Sequence, residues 1–109
     1  MDIETYEQVT DQTWKPPTTI SPIQMCVLGM VEELGEIAGK LKRVHRDHEG
    51  RLFHDQVEKI KLESGDFFYY FTRFCKLVGY TMEEMMQANA DKILDRMQRG
   101  VLQGEGDER

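Results

Sequence analysis

The chain has 109 residues, 31% of them charged, and a formal net charge of −6. That length suits one domain with one modest core, and the acidic balance speaks against a nucleic-acid backbone as the main partner. No apolar run reaches the ~18 residues that a membrane-spanning helix needs, and the N-terminus Met1-Asp2-Ile3-Glu4 is acidic where a signal peptide is basic. A cytoplasmic protein with no membrane partner is therefore expected.

Asp2 can cap a first helix with apolar positions at Ile3, Tyr6 and Val9, running to about Thr13. Trp14-Lys15-Pro16-Pro17 ends it, because two prolines exclude helical continuation. Trp14 either anchors this linker on the core or offers its face to a ligand base. Ser21-Pro22-Ile23-Gln24 then opens a second helix, with Ser21 as N-cap, Pro22 at the first helical position and Gln24 closing a capping box. This helix is expected to reach about His45 and to stop in the turn Arg46-Asp47-His48-Glu49-Gly50. A third helix is predicted from Asp55 to Leu77, with Gly79 as its stop. Its aromatic run, Phe67, Phe68, Tyr69, Tyr70, Phe71 and Phe74, covers most of the circumference, so more than one neighbour must cover it and a second subunit is implied. Thr81-Met82-Glu83-Glu84 is a capping box for a fourth helix that Gly100 closes, and residues 101–109 read as a flexible tail. The fold class is all-α, a bundle of about four helices per protomer completed by oligomerisation. Cys26 and Cys75 both fall in amphipathic segments and are expected to be buried, reduced thiols.

Two stretches carry the chemistry. Glu33-Leu34-Gly35-Glu36 and Glu63-Ser64-Gly65-Asp66 each place two carboxylates three residues apart on a helix whose other side is apolar. In the second helix the apolar stripe is Ile23, Val27, Met30, Leu34, Ile37, Leu41 and Val44. Glu33 lies about 70° and Glu36 about 130° from its centre, while Glu32 faces away. In the third helix Glu63 and Asp66 flank the stripe Ile60, Phe67, Phe71, Phe74 and Val78 at similar angles. Helices packed along these stripes would bring Glu33, Glu36, Glu63 and Asp66 to one cleft. Clustered carboxylates beside an apolar seam ask for cations, and an oxygen-only donor set favours Mg²⁺, Mn²⁺ or Ca²⁺. On the fourth helix Asn89 occupies the apolar seam with Lys92 and Arg96 on the same flank. Asn89 is therefore either a register-setting polar residue or a site residue.

The ordered set Glu32-Glu33-Leu34-Gly35-Glu36, Glu63-Ser64-Gly65-Asp66 and Asn89-Ala90-Asp91-Lys92 resembles the signature of the MazG-like, all-α nucleoside triphosphate pyrophosphohydrolases. The resemblance extends over nearly the whole chain, including Gly104-Glu105-Gly106-Asp107-Glu108-Arg109. It departs from the family pattern at Ser64, where leucine is usual, and at Glu108, where asparagine is commoner. The resemblance implies a pyrophosphohydrolase domain over residues 1–100 that uses Mg²⁺, with Mn²⁺ a substitute. Its reaction is hydrolysis of nucleoside or deoxynucleoside triphosphates to the monophosphate and pyrophosphate, in a homodimer or homotetramer. By position, Glu33, Glu36, Glu63 and Asp66 match the family's metal ligands, and Asn89 and Lys92 match residues that contact substrate.

The proton acceptor is Glu33, Glu36 or Glu63; spacing does not choose among them. Lys40, one turn beyond Glu36, is placed to bridge to it or to meet phosphate, and Arg96 is a further candidate for phosphate. Two other classes compete. A di-iron carboxylate bundle wants Glu-x-x-His, and no histidine here lies three residues after a glutamate. A non-catalytic helical oligomerisation or regulatory module could keep the same fold and bind nucleotide without turnover.

Overall fold

Capping chemistry sets where each helix starts in the computed structural model, which describes residues 1–109. The Asp2 carboxylate accepts the Thr5 N–H at 2.8 Å and opens α1, Ile3–Thr13. The Ser21 hydroxyl accepts the Gln24 N–H at 3.1 Å and opens α2, Pro22–His48. Gln24 does not return a bond to Ser21, so only half of the expected capping box forms. The Gln56 side chain accepts the Phe53 N–H at 2.8 Å at the head of α3, His54–Leu77. Thr81 and Glu84 exchange both bonds, each 3.1 Å, at the head of α4, Met82–Gln98. The chain is thus all-α with four helices and no strand, and no helix is long and apolar enough to cross a membrane.

The second helix runs three residues past its expected end. His48 completes it, and Glu49 and Gly50, both left-handed at φ 53° and 78°, reverse the chain into residues 51–53. The α2–α3 pair is an antiparallel hairpin and the main packing unit of the fold. Ser64 does not interrupt α3, because its hydroxyl donates back to the Ile60 carbonyl at 2.7 Å within an unbroken helix.

The face that α2 turns to α3 keeps only Met30, Ile37 and Val44 of the expected stripe. Cys26, Gly29 and Val44 are buried, and Glu33 and Lys40 are half-buried, whereas Ile23, Val27, Leu34 and Leu41 are 38–55% exposed. The packed face is rotated about 65° from the centre of the apolar stripe, which puts Glu33 near its middle. The cause lies at Gly29. A Cβ there would fall 2.5 Å from the Tyr70 ring, so the absence of a side chain lets that ring sit directly on the α2 backbone.

The first helix docks on α3 through polar groups. Arg73 donates to Thr10 and pairs with Asp11, which also accepts from Lys76 Nζ at 2.6 and 2.8 Å. The Arg73 guanidinium lies 5.3 Å from the centre of the Trp14 ring, and Tyr69 hydrogen-bonds to Thr13 at 2.9 Å. Trp14 is therefore an anchor of the linker. Contacts from α1 cover one side of the aromatic run, with Tyr6 against Phe68 at 6.0 Å, yet Phe68 stays 43% exposed. Buried Met82 seats α4 on α3. Cys26 and Cys75 are fully buried free thiols whose pKa burial raises.

The chain leaves much of its apolar surface uncovered. Its radius of gyration is 17.2 Å, against about 13 Å for a compact chain of this size.

Candidate metal centre

Glu33 projects from the middle of the packed face of α2, and Glu63 and Asp66 from successive turns of α3 opposite it. Carboxylate oxygens of all three lie within 4.8 Å of one another. Beside them a cavity of about 370 Å³ is lined by Glu33, Asp66, Tyr69 and Tyr70. The two tyrosine rings meet edge to face, 5.7 Å apart. Lys40, about two turns beyond Glu33 along α2, pairs with Glu63 at 3.2 Å; both side chains are about four-fifths shielded.

Negative charge that Lys40 only partly offsets is the electrostatic signature of this cluster. Partial burial first, then the hydrogen bond shared with Glu63, then the charges of Asp66, Glu63 and Glu32 push the Glu33 carboxyl up to about 7. The Tyr70 hydroxyl is raised as well, by burial and then by the charges of Glu33 and Glu32. The donor set contains only carboxylate oxygens, so Glu33, Glu63 and Asp66 together fit a hard divalent cation and offer nothing specific to zinc or copper.

The raised Glu33 pKa makes the metal-free protein pH-sensitive. Unfolded chains release this proton near the ordinary value of 4.5, while the folded protein keeps it to about 7. Folding therefore takes up a proton between those values, and the associated stability, complete below about 4.5, is lost as pH rises to about 7. Asp2, Asp11, Asp47 and Asp107, all held below their ordinary 3.8, act in the opposite sense and only in more acid solution. Thermal melts of metal-free protein are expected to show Tm falling from pH 5 to pH 7, and Glu33→Gln should flatten that slope. A wild-type Tm that rises through this range would contradict the assignment.

Not every candidate joins the cluster. Glu36 is exposed one turn along α2 from Glu33, lies outside the group of three and has no partner. The α2 rotation brings Glu33 to the seam but moves Glu36 only as far as the edge of the packed face, short of the other carboxylates. Lys40 bridges to Glu63 across the hairpin and not to Glu36. Asn89 is exposed on α4. Lys92 and Arg96 bind the Asp107 carboxylate at 3.2 and 3.1 Å, so residues 101–109 fold back along α4. None of these three α4 residues lines the cavity at Glu33. Gly29 and Tyr70 position this site, and the carboxylate spacing marks neither of them. A glycine inside a helix costs about 1 kcal/mol relative to alanine, and that cost was the signal that something must approach Gly29 closely.

No family model matches the chain, and no solved structure matches it. The Gene 37 protein of Mycobacterium phage L5 is 32% identical over 91 residues, which cover 84% of this chain and 80% of that protein. At that identity and coverage, the chain belongs to the same family as the Gene 37 protein of Mycobacterium phage L5.

Proposed function

We propose that the chain is a Mg²⁺-dependent pyrophosphohydrolase of the MazG-like kind. It would take a nucleoside or deoxynucleoside triphosphate and water to the monophosphate and pyrophosphate, breaking the bond between the α and β phosphates. The observation that carries this reading is the meeting of Glu33, Glu63 and Asp66, from two helices, beside a tyrosine-walled cavity. The order of the motifs along the chain supports it.

Glu33, Glu63 and Asp66 would hold Mg²⁺, with Mn²⁺ as a substitute, and the ion supplies charge neutralisation to the phosphates and the departing pyrophosphate. Tyr69 and Tyr70 offer aromatic surface to the nucleoside end. Lys40 offsets the charge of Glu63 and faces the outer phosphates. Glu36, unpaired and outside the group of three, is the carboxylate free to take a proton from the attacking water.

The experiment is direct. Purified protein is incubated with a panel of NTPs and dNTPs and Mg²⁺, and both products are measured; equal amounts of pyrophosphate and monophosphate, abolished by EDTA, are expected. Release of orthophosphate alone would overturn the reading. Binding without products would favour the non-catalytic module.

The proposal includes a homodimer or homotetramer. Leu28, Val31, Leu34 and Leu62 are 55–69% exposed, and together with Ile23, Val27 and Leu41 they leave the hairpin with an apolar surface that a second copy would cover. Light scattering is expected to give at least twice the 12.8 kDa of one chain. A mass of one chain would remove this part of the proposal.

A further inference from the structure

Beyond the acidic cluster, toward the closed end of the α2–α3 hairpin, lies a second cavity of about 230 Å³. Lys40, Arg43, Asp47, His48, Gln56 and Lys59 line it, and Val44 is its one apolar wall. Its volume is below the ~300–1,000 Å³ of cavities that enclose drug-sized molecules, and its lining has no aromatic ring other than the His48 imidazole. It suits a small anion.

Three permanent cations face this space. The one carboxylate, Asp47, is already engaged by Arg46, which donates two hydrogen bonds to it at 2.8 and 2.9 Å. Arg43 folds back over the preceding turn, its Nη1 3.7 Å from where a Cβ at Gly39 would stand, an ordinary contact distance, and it lines the cavity together with Lys40. Lys40 belongs to both sites, since it lines the cavity and also pairs with Glu63.

Position along the hairpin gives the cavity a direction. Tyr69 and Tyr70 come first, then Asp66 and Glu63, then Lys59 and Gln56, all on α3. Lys59 is about 6 Å along the axis from Glu63 and about 10 Å from Asp66. A triphosphate with its nucleoside on the tyrosines and its cleaved bond at the carboxylates would send its outer phosphates toward Lys59 and Arg43. The reverse placement would put those charges against two tyrosines and no cation.

We propose that the cavity formed by Lys40, Arg43, His48 and Lys59 holds the pyrophosphate end of the substrate and then inorganic pyrophosphate itself. The proposal rests on the hydrolase reading for its orientation, but not for the anion site.

Isothermal titration calorimetry with inorganic pyrophosphate and Mg²⁺ tests it on the wild type, Arg43→Gln and Lys59→Gln. Both side chains are exposed, and circular dichroism checks that the variants fold. Each variant is expected to bind pyrophosphate at least tenfold more weakly, with affinity for a nucleoside monophosphate unchanged. In turnover, inhibition by added pyrophosphate should weaken in parallel. Unchanged pyrophosphate affinity in both variants, or no binding to the wild type, overturns the proposal even if triphosphates are hydrolysed. Pyrophosphate binding that the variants lose, in a protein that hydrolyses nothing, upholds the anion site and removes the hydrolase reading.

Discussion

Glu33→Gln is expected to lower Mg²⁺-dependent pyrophosphate release more than a hundredfold while making the metal-free protein more stable at pH 8. The two effects share one cause. Partial burial, the hydrogen bond shared with Glu63 and the charges of Asp66 and Glu63 oppose the ionisation of Glu33. An amide keeps the shape and removes the charge, so the repulsion disappears together with an oxygen needed to hold the ion. Loss of an outer-sphere partner of a metal costs about 10–100-fold, and loss of a direct ligand should exceed that. A Mg²⁺ titration of activity and a thermal melt on the same sample measure both effects. A rate near that of wild type would remove Glu33 from the site. Lower stability would show instead that the cluster is held by something other than repulsion relieved by a cation. Glu36→Gln provides the contrast. Glu36 stands outside the three, so its replacement should depress kcat and leave the Mg²⁺ dependence where it was.

Gly29→Ala should be the most damaging small change in the chain. The added methyl would lie 2.5 to 2.6 Å from three atoms of the Tyr70 ring, well inside contact distance, and an aromatic ring wedged between two helices has little room to yield. Overpacking of this kind costs about 1–3 kcal/mol. In a domain of this size each kcal/mol lowers Tm by about 4–8 °C. Tyr70 also lines the cavity beside Glu33 and Asp66, so a displaced ring intrudes on the site and activity should fall with stability. The same substitution at Gly35, whose Cβ would meet nothing within 4 Å, should raise helix stability by about 0.5–1 kcal/mol. If the two variants melt at the same temperature, the close approach of Tyr70 to α2 is not what sets the hairpin's rotation.

The helices were legible in the sequence because their ends are written in local chemistry. Asp2, Ser21 with Pro22, and Thr81 with Glu84 act within one turn of themselves, and each cap forms where it was read. Facing is a different matter. The row Ile23, Val27, Leu34 and Leu41 reads as the side that α2 gives to α3, yet these residues are largely exposed. The hairpin is organised by Gly29 meeting Tyr70, a contact between residues 41 positions apart that no periodicity encodes. The same rotation decides the site. Glu33, Glu63 and Asp66 were recognisable from spacing, but the exclusion of Glu36 and the choice of Glu63 by Lys40 depend on the angle between two helices. The path of residues 101–109 has no repeat to reveal it, so the pairing of Asp107 with Lys92 and Arg96 could not be anticipated.

That pairing changes what it means for Lys92 and Arg96 to meet a phosphate. A free anion arriving there has to outcompete a carboxylate fastened to the same polypeptide about ten to fifteen residues away, whose effective concentration is far above that of a dissolved rival. Asp107 is 83% exposed, so its grip is screened and weakens as ionic strength rises. The two cations thus share one tethered counter-ion, and their affinity for anything else is set by how readily the last few residues let go.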